Sequence, residues 1–234
     1  MTATVLQTPL HARRASLVGL VASAVLAALL SLYTTVVEAR PNVHREGVQV
    51  EGLIGGSNCM PGLAACEANN AVLSGATRGS VGGGVALGWR ARPWVLVGAM
   101  YRGGMFRPDY EIVGFDSYQG AAQHSVYAVL RPILPVWRFD LGVNLAPGYS
   151  RQVFWYGGAT RDYTQGFSFA VGPVVDLYVG KHVFLGFEAD FLLNAHRRVC
   201  AQRSDGTVCV EHETRYRNPV HQAIYGLHIG FNAG

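Results

Sequence analysis

From Glu46 to the C-terminus, segment after segment alternates between an apolar or aromatic residue and a small, polar or charged one. A period of two marks extended strands whose two faces meet different environments. The clearest run is Trp137 to Tyr149, with Trp137, Phe139, Leu141, Val143, Leu145, Pro147 and Tyr149 on one face. Arg138, Asp140, Gly142, Asn144, Ala146 and Gly148 fall on the other. The pattern returns from Phe167 to Val179 and from Val183 to Asn194. Five more stretches read the same way: Val48 to Gly55, Gly79 to Trp89, Trp94 to Phe106, Ala122 to Arg131, and Gln222 to Phe231. That makes eight strands. In the third and fourth, both faces carry apolar residues, and Arg102 and Arg131 mark the inward one.

The connections alternate in length. Short ones fall at Ala91 to Pro93, Pro132 to Pro135 and Gly180-Lys181; long ones fall at about 57 to 78, 107 to 120, 152 to 165 and 197 to 217. A meander with tight turns at one end and long loops at the other is what an antiparallel up-and-down β-barrel requires. The 29 glycines suit turn-rich β structure and disfavour long helices.

Alternation alone does not say which face points inward: a soluble ligand-carrying barrel encloses its apolar face, and a transmembrane one exposes it. Three features select the transmembrane form. The minority set, Glu51, Arg138, Asp140, Asp176, Glu188 and Asp190, holds both signs of charge and can pair in a narrow lumen, whereas the opposite face of strands five to seven is uncharged. Aromatics gather at strand ends: Trp89, Trp94 and Trp137 flank short turns, and Tyr101, Tyr149, Phe154, Trp155, Tyr156, Tyr163 and Phe167 lie toward the long loops, as interfacial girdles do. Small inward residues such as Gly84, Gly142, Gly172, Gly186 and Gly230 leave room for a few long polar side chains.

The first 39 residues read as a signal peptide. Arg13 and Arg14 precede an uncharged stretch from Ala15 to Val37, and Val37-Glu38-Ala39 offers the small residues of a cleavage site. Residues 40–234 then form the barrel domain. The formal net charge of +4 becomes +3 once Arg13, Arg14 and Glu38 are removed. No Lys/Arg stripe of the kind that follows a phosphate backbone is present, which argues against nucleic acid as a partner.

With that pattern in place, residues 46 to 231 resemble the small eight-stranded outer-membrane barrels of Gram-negative bacteria: the outer membrane protein A transmembrane domain, outer membrane protein X and the Ail-like proteins. The last strand, Tyr225-Gly226-Leu227-His228-Ile229-Gly230-Phe231, is similar to that group's C-terminal assembly signal, although Asn232, Ala233 and Gly234 follow the aromatic. The resemblance implies a monomer in the outer membrane, short turns toward the periplasm, and contact with membrane lipids and lipopolysaccharide. It also implies insertion by the barrel-assembly machinery.

The expected polar network in the lumen comprises Glu51, Arg102, Arg138, Asp140, Asp176, Glu188 and Asp190, with Glu188 and Asp190 sharing Arg138. Buried charges must be paired to be tolerated. Cys59, Cys66, Cys200 and Cys209 form an even set in an exported chain, so disulfides are expected. Local pairing, Cys59 with Cys66 and Cys200 with Cys209, is favoured, and cross-loop pairing such as Cys59 with Cys209 stays open. Their spacing does not fit a zinc site, and neither a metal nor another cofactor is expected, a Cys200, Cys209, His212 grouping included. Arg197, Arg198, Arg203, Arg215 and Arg217 make the fourth loop a possible anion-binding loop.

Some barrels of this size class process acyl chains of lipopolysaccharide with Ser and His near the rim. Ser125 with His124, and Ser204 with His196 or His221, are the pairs to consider here, but no spacing specifies a triad. The sequence therefore points to a structural or surface-binding barrel with a plugged lumen and no catalysis. A lipid A or phospholipid modifying enzyme and a narrow small-solute channel are the alternatives.

Overall fold

The computed structural model describes residues 43–60, 67–69, 73–112, 119–157, 160–211 and 221–234. The signal peptide expected at 1–39 lies outside them. Ten strands form one antiparallel sheet: β1 (Gly47–Cys59), β2 (Glu67–Asn69), β3 (Leu73–Arg92), β4 (Val95–Ile112), β5 (Gly120–Val136), β6 (Phe139–Gly157), β7 (Thr160–Tyr178), β8 (Val183–Arg203), β9 (Gly206–Glu211) and β10 (Gln222–Ala233). Each long strand pairs with the next along the chain, and β1 pairs with both β10 and β3, which closes the sheet. Eight strands make the ring. The short β2 and β9 lengthen it at the loop end by pairing with β3 and β8.

The strands outrun the roughly 11 residues that a bilayer needs. Most of the expected loops at 107–120, 152–165 and 197–217 are continuations of β4, β6, β7 and β8, or the β9 hairpin. Alternation weakens there while the backbone pairing continues, so the apolar pattern stops before the ladder does.

The apolar face points outward. Phe139, Phe187, Leu145 and Leu227 are exposed, while Asp140, Asp176 and Glu188 are buried inside the ring. Trp89, Trp94 and Trp137 stand exposed at the short-turn end. At the other end Tyr101, Val126, Tyr149 and Phe167 fall in one register row across β4 to β7. From Phe139 to Tyr149 the strand advances roughly 10 residues at about 3.3 Å each, and a tilt of about 40° reduces that to about 25 Å, the height of an outer-membrane apolar band.

The interior is packed. Leu53, Leu96, Met100, Tyr127, Leu192 and Ile224 form an apolar plate within the ring, and Cys59, Phe106 and Ala121 form a second cluster nearer the loop end, with Phe154 against it. Eight strands enclose a space that side chains can fill.

Candidate functional site: a charged plug across the lumen

Inward positions on strands far apart in the ring bring opposite charges together. Arg131 on β5 forks onto Glu51 on β1, donating from its two terminal nitrogens to Oε1 at 2.6 Å and Oε2 at 2.9 Å. Its Nε donates to Asn144 Oδ1 at 2.7 Å. Arg102 on β4 reaches the opposite wall, where Nε donates to Asp190 Oδ2 at 2.8 Å and a terminal nitrogen donates to Glu188. Asn144 ties the two clusters by donating to Glu188 Oε1 at 2.6 Å and Asp190 Oδ1 at 2.9 Å. Nearer the short turns, Arg90 on β3 donates to Asp140 Oδ2 at 2.5 Å, and Arg45, ahead of β1, donates to Oδ1 of the same carboxylate at 2.8 Å. His228 Nε2 stands 2.6 Å from Asp176 Oδ1.

Four guanidinium groups and one imidazole thus meet five carboxylates, nearly all of them out of water. The two directly opposed carboxylates, Asp140 and Asp176 in the β6–β7 register, are separated in duty, since each has its own partner from a different strand. Small residues make this possible. Gly186 sits between Asp176 and His228 in register, and a Cβ there would lie 2.4 Å from the imidazole. A Cβ at Gly84 would lie 2.9 Å from the stem of Arg102.

Above the plug lies an uncharged layer. Asn194 Oδ1 accepts from Ser150 and Ser168 at 2.8 and 2.7 Å, and its amide nitrogen donates to Gln123 at 2.9 Å. Ser150 Oγ is 2.6 Å from His196 Nε2, whose Nδ1 is 2.8 Å from Thr164 Oγ1. His221, just ahead of β10, accepts the Asn194 N–H through Nδ1 at 3.0 Å, and burial holds its pKa below the ordinary histidine value.

Of the residues singled out from sequence, Glu51, Arg102, Asp140, Asp176, Glu188 and Asp190 all line the lumen. Arg138 does not. β6 begins at Phe139, so Arg138 belongs to the two-residue turn after β5, where Trp137 takes a φ of 53° and the guanidinium lies exposed, 5.8 Å from the Trp137 ring. Arg102 takes the place expected of it at Glu188 and Asp190. Arg90 and Arg45 escaped the sequence reading. Continuing the alternation one step beyond Trp89 puts Arg90 inside, and His228 shares the parity of Gly226 and Gly230; Arg45 precedes every strand and carries no periodic signal.

Cys200 is bonded to Cys209 across the β8–β9 hairpin. Cys59 is also disulfide-bonded, so a Cys59–Cys209 cross-link is excluded; Cys66 lies outside the described residues. Arg197, Arg198 and Arg203 are exposed at the loop end, with Arg203 2.8 Å from Asp162, whereas Arg215 and Arg217 lie outside the described residues, as does His212. His124 and Ser125 face opposite sides of β5: His124 meets Tyr101 outside at 2.6 Å and Ser125 meets Gln123 inside at 2.9 Å. Ser204 occupies the exposed β8–β9 turn, and His196 is buried against Ser150 instead.

No protein-family model matches the chain, and no curated protein sequence matches it. Among solved structures, the outer membrane protein OprG from Pseudomonas aeruginosa is similar. The TM-score is 0.56 at 10% sequence identity, over 82% of this chain and 99% of that one. At that identity the likeness shows the fold, an up-and-down β-barrel of the kind built for an outer membrane.

Proposed function

We propose that the protein is a bacterial outer-membrane barrel that spans the bilayer as a sealed cylinder, with a structural or surface-binding role exerted at its loop-end rim. One observation carries this reading: the charged plug joins opposite walls of the ring, with Arg102 on β4 reaching Glu188 and Asp190 on β8. An exposed apolar band with aromatic rows at both ends supports a transmembrane setting. The solved barrel similar to it supports an outer-membrane location; export by a cleaved leader rests on the uncharged stretch from Ala15 to Val37 and on Val37-Glu38-Ala39. Outer-membrane lipids and lipopolysaccharide are the partners that such a setting supplies, and the barrel-assembly machinery would insert the chain as a monomer.

A lipid-modifying enzyme is the second reading, favoured by the Ser150–His196 contact. Ser150 is fully buried beneath the Phe106 cluster, which keeps a substrate carbonyl from its hydroxyl. The test is conductance in planar bilayers, paired with labelling by a serine-directed fluorophosphonate. The proposal expects neither steady conductance nor label at Ser150. An open-channel current in the wild type would overturn the sealed cylinder, and a label lost in Ser150→Ala would favour the enzyme.

A further inference from the structure

At the loop-end edge of the apolar band the outer wall carries a hollow. On β3 and β4 the outward residues Gly83 and Gly103 face each other in register, and neither carries a side chain to fill the band. Val81 and Met105 stand over them, and the hollow runs along the loop end of the wall to Trp155 and Arg161. It encloses about 850 Å³ and opens sideways, toward the acyl layer in the proposed orientation. That is within the roughly 300 to 1,000 Å³ of ordinary small-molecule sites. Filling Gly83 is sterically closed to evolution by small steps, because a Cβ there would lie 2.6 Å from the Leu53 carbonyl oxygen.

The end of this groove is cationic. Just above the row of Tyr101, Val126, Tyr149 and Phe167 runs a second outward row, with Gly103, His124, Arg151, Gln165 and Arg198 paired in turn. Arg151 lays its guanidinium 3.8 Å from the centroid of the Tyr163 ring, and Tyr163 is two residues from Arg161 on the same face of β7. The Arg151 guanidinium is thus stacked on the residue one row from Arg161, which itself lines the hollow. Among the described residues no carboxylate lies within ion-pair distance of Arg151 or Arg161, and the buried Nε of Arg151 has no hydrogen-bond partner. Tyr163 is itself braced, since it pairs with Cys200 and its hydroxyl lies 3.8 Å from Cys209 Sγ of the disulfide.

An apolar trough ending in fixed cations at the level where tails give way to headgroups fits a phosphorylated lipid. A single phosphate occupies one Arg fork. Arg151, Arg161 and Arg198 on consecutive strands fit a headgroup bearing more than one. We infer that the groove is a binding site for a multiply phosphorylated, multiply acylated glycolipid of the lipid A type, with an acyl chain over Gly83 and Gly103 and phosphate on Arg151 and Arg161. This deepens the proposed surface-binding role and rests on the same orientation in the membrane.

Native mass spectrometry of the whole barrel, extracted in detergent and titrated with bisphosphorylated lipid A or with phosphatidylglycerol, tests the assignment. Arg151→Glu with Arg161→Glu, and separately Val81→Trp to fill the trough, are each expected to weaken lipid A binding about tenfold or more. Phosphatidylglycerol is expected to bind the wild type about tenfold more weakly than lipid A. If either variant retains wild-type affinity for lipid A, or if phosphatidylglycerol binds as tightly, the inference is overturned. Retained heat-modifiability on gels reports that each variant is folded; should the charge reversal not fold, Gln at both arginines is expected to cost about threefold, and no loss there also overturns the assignment. Conductance reads the lumen and not the outer wall, so the sealed-cylinder reading and the lipid site can fail separately.

Discussion

The Arg131 guanidinium and the Glu51 carboxylate meet as a two-bond fork inside the ring, 80 residues apart in the chain. Removing one member of a buried pair leaves the other uncompensated, at about 3–5 kcal/mol. Glu51→Ala is therefore expected to lower the unfolding free energy of the barrel by about that much, with a lower urea midpoint. Glu51→Ala combined with Arg131→Met should recover part of the loss. Equilibrium unfolding from lipid vesicles, followed by tryptophan emission, measures both; equal stability of the single variant and the wild type would remove the plug from the account of stability.

Gly186 is the floor under His228. A methyl group there collides with the imidazole and with the Val175 carbonyl oxygen at 2.5 Å, so Gly186→Ala should push His228 off Asp176. Overpacking of this kind costs about 1–3 kcal/mol. The heat-modified gel band is expected to convert at lower temperature, while Gly180→Ala, where a Cβ meets nothing within 4 Å, should behave as wild type.

Leu145 lies near the middle of the apolar run Phe139 to Tyr149 on the outward face of β6 and is 36% exposed. Leu145→Arg places a cation at mid-band and is expected to cost about 2–4 kcal/mol in vesicles, since an Arg on the lipid face has little water to meet there. In detergent-free urea, where no acyl layer exists, the variant and wild type should be alike. A null effect in vesicles would contradict the outward assignment of this face.

His221 accepts a backbone N–H through Nδ1, which requires a neutral ring. Burial lowers its pKa in the folded chain, so the unfolded chain binds the proton first as pH falls. The stability that His221 contributes is whole above about pH 6.5 and is lost as the pH drops through the lowered folded value. His221→Gln is expected to flatten the difference in stability between pH 7.5 and pH 5.5, as read by urea midpoints at the two pH values.

The ring and its polarity were legible because alternation within the apolar band is a direct imprint of an exposed apolar face on one side and a polar lumen on the other. Asp140, Asp176, Glu188 and Asp190 stand out in it for the same reason. Arg138 was misplaced because a strand's period continues in the text of the sequence through a tight turn that its backbone does not follow. Partner choice was illegible: that Arg102 rather than another cation meets Asp190 depends on ring closure and on the stagger of eight strands. The apolar plate of Leu96 and Met100 was hidden as well, since inward Leu and outward Val read alike where both faces of β4 are apolar.

Each cation of the plug finds its anion on a strand that is not its hairpin neighbour: Arg102 and Asp190 are 88 residues apart, Arg90 and Asp140 are 50. A half-zipped sheet holding β3 to β5 alone carries three of the plug's arginines, Arg90, Arg102 and Arg131, and none of their carboxylates. Arg90 is neutralised once β6 is in place, Arg102 only once β8 is, and Arg131 only once β1 is. Partial assemblies are thus left electrically unbalanced, and the charge balance of the plug is complete only in the closed ring.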